Sequence, residues 1–137
     1  MEIRDMKADD YDEIFALWQI TSKRALSEAD NEENICKYIA RNSGLSQVAV
    51  IDGKIIGTLL AGHDGRRGFF HHMAVLPEFR RHGIARSLVQ TALEKLSIEG
   101  IAKSHLFVFC DNKQGQAFWE SLGFTQRDDI FVYSRKE

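Results

Sequence analysis

Apolar positions recur with a helical period in four stretches of the chain. These stretches follow Asp9-Asp10, open at Asn31-Glu32-Glu33, span Ile84–Ile98 and span Lys113–Leu122. In Ile84–Ile98 the apolar residues form one continuous stripe, and Gly100 follows as a helix stop. The pattern therefore predicts four helices.

Seven shorter runs, most of them rich in β-branched and aromatic residues, predict strands. They are Glu2–Asp5, Gln47–Ile51, Lys54–Ala61, Gly68–Val75, Ser104–Phe109, Phe124–Arg127 and Ile130–Ser134. Asp52-Gly53 is a strong hairpin signal between the second and third runs. The element order βααβββαβαββ predicts a mixed α/β (α+β) fold: one domain over residues 1–137, with four helices and a central mixed sheet of about seven strands.

Charge and composition narrow the classes of function. The 18 Lys and Arg residues nearly balance the 20 Asp and Glu residues, which removes the electrostatic basis for nucleic-acid binding. Because apolar runs are short and the chain opens with charges, we expect no membrane span, no signal peptide and a cytoplasmic protein. Cys36 and Cys110 are too few for a disulfide framework or a thiolate metal site, and we expect both to be reduced.

The start of the Ile84–Ile98 helix lacks the acidic residues that usually balance a helix N-terminus. No Asp or Glu occurs in residues 79–93, whereas four basic residues crowd this end: Arg80, Arg81, His82 and Arg86. Gly83 lets the backbone approach a ligand closely, and Ala85 keeps the first turn narrow. The pattern predicts a phosphate on the free amides. The alternative is that Gly83 only turns the chain and that the arginines are solvated.

Other phosphate motifs do not fit the chain. No Gly-Lys-Ser/Thr sequence follows the glycine, as it would in a P-loop, and no three-glycine dinucleotide fingerprint is present. Nucleoside triphosphates are therefore poor candidates for the anion.

Three segments resemble the Gcn5-related N-acetyltransferase (GNAT) superfamily. Arg80-Arg81-His82-Gly83-Ile84-Ala85 resembles its Gln/Arg-x-x-Gly-x-Gly/Ala signature, and residues 73–79 resemble the strand and turn that lead into that signature. Asn112 with residues 118–124 resembles the closing Asn…Tyr-Glu-x-x-Gly-Phe element. The likeness covers essentially the whole chain, which is also similar to small single-domain bacterial members of unassigned substrate.

The resemblance implies acetyl-CoA as the cofactor. It places main-chain contacts to the pantetheine arm on Met73 and Val75, the pyrophosphate on the amides from Arg81 to Arg86, and a contact to the arm on Asn112. The implied cofactor-binding residues are Met73, Ala74, Val75, Arg80, Arg81, His82, Gly83, Ile84, Ala85, Arg86, Asn112 and Trp119. The alternatives are ordinary core packing for the side chains of Met73 and Val75 and an N-cap for Asn112, which is compatible with a cofactor contact.

Transfer of an acetyl group to an amine requires a base, because an ammonium group has no lone pair. His71 and His72 precede the cofactor loop, and imidazole titrates in the useful range. In a regular strand, His71 shares a face with Met73 and Val75, while His72 shares one with Ala74, which favours His71 as the base. The arylalkylamine branch of the superfamily is similar here, with a histidine implicated in proton removal four residues before the corresponding valine.

Other roles for the two histidines stay open at this point. His71 alternatively lines the site or is a satisfied core residue, which leaves His72 or a chain of water molecules to take the proton of the amine. Since regular alternation puts the two rings on opposite faces, they cannot share a metal ion without a bulge, and we expect no metal site.

Trp119 stands where many members of the superfamily have a tyrosine that protonates the leaving thiolate. The indole N–H donates a hydrogen bond but is not a useful acid, so no general acid is assigned. Cys110, Tyr133 or an ordered water are substitutes, although a small buried hydrophobe is the simpler interpretation of Cys110.

The resemblance places the acceptor pocket beside the segment Thr21–Asn31. Glu28 and Asp30 there either attract a cationic amine or are simply solvated. The leading hypothesis is an acetyl-CoA-dependent N-acetyltransferase that forms a ternary complex with a primary amine of a small molecule or peptide. The alternative is a non-catalytic acyl-CoA-binding or sensory module, and a homodimer is left open.

Overall fold

The computed structural model describes all residues from Met1 to Glu137, and it contains the four predicted helices. These are α1 (Tyr11–Thr21), α2 (Glu32–Arg41), α3 (Ile84–Ile98) and α4 (Lys113–Ser121). The side chain of Asn31 caps α2 by accepting from the Asn34 amide, and Asn112 caps α4 by accepting from the Gly115 amide. Short 3₁₀ turns lie at Ala8–Asp10, Lys23–Ala25, Glu28–Asp30 and Pro77–Phe79.

One sheet of five strands forms the centre of the fold, in the order β1-β2-β3-β4-β5. The strands are β1 (Glu2–Asp5), β2 (Gln47–Ile51), β3 (Lys54–His63), β4 (Gly68–Val75) and β5 (Ser104–Leu106). Neighbours from β1 to β4 are antiparallel, and β4 and β5 are parallel because α3 connects them. The hairpin predicted at Asp52-Gly53 is confirmed, since it connects the antiparallel strands β2 and β3.

The prediction of about seven strands is wrong. The fifth strand ends at Leu106, three residues earlier than expected, and neither Phe124–Arg127 nor Ile130–Ser134 forms a strand. Phe131 and Tyr133 expose 87% and 90% of their surface and have no partner strand. A local pattern of apolar residues gives β-propensity, but a strand also needs a neighbour for its main-chain groups.

Helices cover both faces of the sheet. The Trp18 indole of α1 donates a 2.9 Å hydrogen bond to Thr58 Oγ1 on β3, and a Cβ at Gly62 would lie 2.5 Å from the Tyr38 hydroxyl of α2. On the opposite face, a Cβ at Gly57 would lie 3.3 Å from Cγ2 of Ile84 in α3. Thr58 and Gly62 therefore face α1 and α2, and Gly57 faces α3.

The chain divides into two compact units, Met1–Phe107 and Val108–Glu137. The first contains the whole sheet and α1 to α3, and the second contains α4. A single domain over residues 1–137 stays a prediction. No helix has the combination of length and hydropathy that crossing a bilayer would require.

Candidate active site

A β-bulge interrupts β4 at the two histidines. Leu60 on β3 lies opposite His71 and Thr58 lies opposite Ala74, so that one residue of β3 corresponds to two residues of β4. His72, one of those two, has φ +48°, in the left-handed region that residues other than glycine rarely adopt. The conformation of β4 at this point is therefore irregular.

The bulge changes which side chains share a face. Paired residues lie on the same face of a sheet, so His71 and Ala74 face α1 and α2, as their neighbour Thr58 does. Val75 pairs with Gly57 and faces α3. The expectation that His71 shares a face with Val75 is wrong, because it assumed regular alternation.

His72 also faces the α1 and α2 layer, where its side chain is only 7% exposed. Its ring stacks on the indole of Trp18 with 4.3 Å between centroids, and its Nε2 lies 2.7 Å from Oδ1 of Asp30. The Thr58 hydroxyl donates a 2.8 Å bond to the His72 carbonyl oxygen while accepting from the Trp18 indole. Contacts from α1, β3 and the α1–α2 connection thus fix both the ring and the main chain of His72.

Asp30, at the end of the 3₁₀ turn before α2, is buried and joins three elements. Its Oδ2 accepts a 3.0 Å bond from the Ser27 amide, Oδ1 contacts His72, and its carbonyl oxygen accepts a 2.7 Å bond from the Tyr11 hydroxyl. The alternative that Asp30 is simply solvated is therefore wrong, since its side chain is buried. The Ser27-x-x-Asp30 spacing is a capping box, and that signal could have marked Asp30 as structured from sequence.

His71 is in a different environment from its neighbour. Its ring meets the Tyr38 ring edge-on at 6.2 Å between centroids and has no hydrogen-bond partner from the chain. Burial lowers the pKa of His71, His72 lowers it further, and Asp30 acts in the opposite direction. Burial also raises the pKa of Tyr38 to about 12. Near neutral pH, His71 is therefore an uncharged imidazole beside an uncharged phenol.

The loop between β4 and α3 has the features expected of an anion site. Arg81 and Gly83 both have left-handed backbone, with φ of +67° and +76°. No side chain caps α3 and no acidic residue occupies its first turn, so the amides of residues 84–86 have no partner in the chain. Arg81, His82 and Arg86 are exposed around these donors. This arrangement fits the phosphates of a bound cofactor.

The end of β4 has one sheet neighbour instead of two. Strand β5 pairs only with Gly68–Phe70, so residues 71–75 have β3 on one side and no strand on the other. On this segment the guanidinium of Arg80 donates a 3.0 Å bond to the carbonyl oxygen of Val75. Unpaired main-chain groups of a strand are suited to an extended ligand.

The remaining predicted site residues belong to the second unit. Asn112 has the N-cap role that the sequence left open, and its contact with a cofactor stays a prediction. Trp119 is buried and packs edge-to-face with Phe118 and Phe124. Cys110 is exposed, so its interpretation as a small buried hydrophobe is wrong.

The bulge removes the argument that the two histidine rings point apart. The chain nevertheless places no group of three or more His, Cys, Asp or Glu side chains where they could hold a metal ion. The chemistry available here is that of imidazole, carboxylate and free main-chain amides.

Comparisons with known proteins identify the family of the chain. Residues 7–124 match the model described as the acetyltransferase (GNAT) family. The sequence is similar to acetyltransferase SG1711 of Sodalis glossinidius (strain morsitans), with 29% identity over 136 residues that cover 99% of this chain and 95% of that protein.

Two solved structures share the fold. One is PaiA N-acetyltransferase from Thermoplasma acidophilum in complex with coenzyme A, with a TM-score of 0.80, 21% identity, and coverage of 94% of this chain and 92% of that one. The other is aminoglycoside antibiotic 6'-N-acetyltransferase AAC(6')-IG from Acinetobacter haemolyticus, with a TM-score of 0.81, 23% identity, and coverage of 100% and 99%. Since the family match spans most of the sequence, the chain belongs to the GNAT acetyltransferase family and is an acetyl-CoA-dependent N-acetyltransferase.

Proposed function

We propose that the chain acetylates a primary amine of a small molecule or a peptide by direct attack in a ternary complex. The observation that carries this proposal is the bulge in β4, which gives His71 and His72 the same buried face directly before Met73–Val75. An amine attacking near this strand would meet an imidazole within a short distance.

We assign the cofactor phosphates to the loop before α3 and its first turn. The residues of this assignment are Arg80, Arg81, His82, Gly83, Ile84, Ala85 and Arg86. Unpartnered amides, the absence of acidic side chains and three arginines support it, because each favours a bound anion. When bound, acetyl-CoA supplies an activated acyl carbon.

The arm of the cofactor is assigned to the main chain of Met73, Ala74 and Val75. Support comes from the missing strand on one side of this segment, which leaves it open to an extended ligand. The assignments of Asn112 and Trp119 rest on the resemblance of their segment to the family.

The proton of the amine is taken by one of the two histidines. His71 is uncharged near neutral pH because burial lowers its pKa, so its lone pair is available. His72 has a carboxylate partner instead. No general acid is assigned: Trp119 occupies the position of the family's tyrosine, and Cys110, Tyr133 and water are the alternatives.

The acceptor is proposed to be a small-molecule amine first and a peptide second. The aminoglycoside acetyltransferase that shares the fold acts on an amine of a small molecule, which supports this order. We further propose a cytoplasmic protein, since Cys36 and Cys110 are unpaired and a reducing compartment suits free thiols. A homodimer is proposed as the assembly to test.

A screen of primary amines and peptide N-termini, with release of free coenzyme A as the readout, tests the proposed function. We expect turnover with at least one amine above the rate of acetyl-CoA hydrolysis. Binding of acetyl-CoA without turnover across the screen would contradict the proposal and favour a non-catalytic acyl-CoA-binding module.

A further inference from the structure

The contact between Asp30 and His72 has an asymmetry that bears on the reaction. Both carboxylate oxygens of Asp30 have a partner: Oδ2 accepts a hydrogen bond from the Ser27 amide, and Oδ1 lies 2.7 Å from His72 Nε2. A carboxylate only accepts hydrogen bonds, so the proton of the neutral His72 ring lies on Nε2. The lone pair of the ring is then on Nδ1.

Among the Asp30 carboxyl oxygens and the His72 ring nitrogens, only Nδ1 has no hydrogen-bond partner in the chain. Every side-chain nitrogen or oxygen that solvent cannot reach does have a partner. Nδ1 therefore reaches the accessible side of the ring, although the side chain as a whole is 93% covered. The contact of Nε2 with Asp30 Oδ1 favours this orientation of the ring, since a ring turned by 180° would lose it.

The two histidines differ in the groups that surround their rings. A proton on His72 would give an imidazolium directly against the Asp30 carboxylate. A proton on His71 would meet burial and the neighbouring His72, which both oppose its charge. The groups that face this pair and titrate are Asp30, Tyr11 through its bond to the Asp30 carbonyl, and Tyr38 beside His71.

We propose that His72 is the base of the reaction and that Asp30 is its positioning residue, which fixes the tautomer and holds the ring. This inference rests on the proposed function. The amine nitrogen forms the C–N bond to the acetyl carbon, the C–S bond of the thioester breaks, and the amine proton passes to His72 Nδ1. Water supplies the proton of the leaving thiol, and His72 returns its own to solvent.

The substitution Asp30→Asn tests this role because it should reverse the tautomer. Asparagine has one side-chain oxygen, and the Ser27 amide needs it. The amide NH₂ then faces His72 Nε2 as a donor, which moves the ring proton to Nδ1 and removes the lone pair. We expect kcat/KM for the best amine of the screen to fall by about 10²–10⁴ while the Kd of acetyl-CoA stays unchanged.

Asp10→Asn is the matched control. Asp10 closes the capping box of another 3₁₀ turn by accepting from the Lys7 amide, but its other partner is Arg4 instead of a histidine. We expect Asp10→Asn to lose stability and to keep the rate per folded molecule. An equal loss of rate in both variants would assign the effect to structure and overturn the role of Asp30.

The tautomer itself is measured on the unsubstituted protein, so the test does not depend on a variant that folds. Long-range ¹H–¹⁵N correlation spectra at a pH where His72 is neutral should show its proton on Nε2, and on Nδ1 in Asp30→Asn. A proton on Nδ1 in the unsubstituted protein would overturn the inference.

The kinetic outcomes separate the two levels of the proposal. If the unsubstituted protein turns over an amine and a folded Asp30→Asn variant does so equally well, the role of Asp30 alone is overturned. Absence of turnover in the unsubstituted protein with every amine would overturn the proposed function and, with it, this role.

Discussion

The loop before α3 and the bulge in β4 have opposite physical characters, although only a few residues separate them. The loop is exposed and cationic, and the amides that begin α3 have no partner. At the bulge, by contrast, the carboxyl group of Asp30 is buried, with Oδ2 accepting from the Ser27 amide and Oδ1 lying 2.7 Å from His72 Nε2. The main-chain amides of the loop have no hydrogen-bond acceptor in the chain, which suits the binding of an anion. The imidazole of His72, held beside a carboxylate, suits proton transfer.

This difference implies that binding and chemistry can be separated by substitution. Changes in the loop should remove acetyl-CoA affinity, and changes at the bulge should remove turnover at constant affinity.

The largest effect is expected for Gly83→Glu. It places a carboxylate beside the free amides of α3 and forces a side chain onto a backbone with φ +76°. Acetyl-CoA at a hundred times its Kd should stabilise the unsubstituted protein by about 2.7 kcal/mol, and this gain should vanish in the variant. Thermal melting with increasing acetyl-CoA measures it.

Gly65→Glu is the control for that experiment. Gly65 also has a left-handed backbone, φ +95°, with open space where a Cβ would stand, but it lies in the turn between β3 and β4. It should lower the melting temperature and keep the rise with acetyl-CoA. Loss of the rise in both variants would contradict the assignment of the phosphates to the α3 loop.

Thr58→Val should show how much the main chain at the bulge depends on one hydroxyl. The substitution leaves the buried Trp18 indole N–H without an acceptor and the His72 carbonyl without its donor. We expect a loss of about 1–3 kcal/mol in the free energy of unfolding, measured by urea titration. Thr91→Val, which removes only a bond back to Ser87 within α3, should change stability by less than about 0.5 kcal/mol. Equal losses would show that the hydroxyl of Thr58 has no special role.

The sequence predicts helix α3 better than the bulge, because the signals for α3 are local and those for the bulge are not. Helix α3 is predicted to the residue, because its stripe, its glycines and its missing acids are all local signals. The bulge depends on the register between β3 and β4 and on a left-handed residue that is not glycine, and no local pattern specifies either. The prediction that His71 shares a face with Val75 failed for that reason.

The other errors have the same origin. A polar residue in a connection, such as Asp30, is expected to be solvated, yet it is buried and contacts Ser27, Tyr11 and His72. The apolar run at Ile130–Ser134 has the composition of a strand but no neighbour to pair with. Tyr11 and His72 are distant from Asp30 in sequence, and the run at residues 130–134 does not itself specify a neighbouring strand.

The smallest effect concerns the acid side of stability. Burial lowers the pKa of His71 below its ordinary value of 6.5, so between the two values the unfolded chain binds more protons than the folded one. Stability should therefore fall as the pH drops below 6.5 through the folded pKa. His71→Gln should remove this loss, and urea midpoints near pH 5.5 and near pH 8 measure it. Parallel curves for both proteins would contradict the assigned burial.

The most direct test of the central claim compares His72→Gln with His71→Gln in one assay of coenzyme A release, with the acetyl-CoA Kd measured on the same samples. His72→Gln should lose about 10²–10⁴ in kcat/KM, His71→Gln should lose less than about tenfold, and both should bind acetyl-CoA as the unsubstituted protein does. A folded His72→Gln variant with near-native turnover, or one whose turnover falls only in proportion to lost acetyl-CoA affinity, would contradict the claim that the bulge carries the chemistry and the α3 loop the binding.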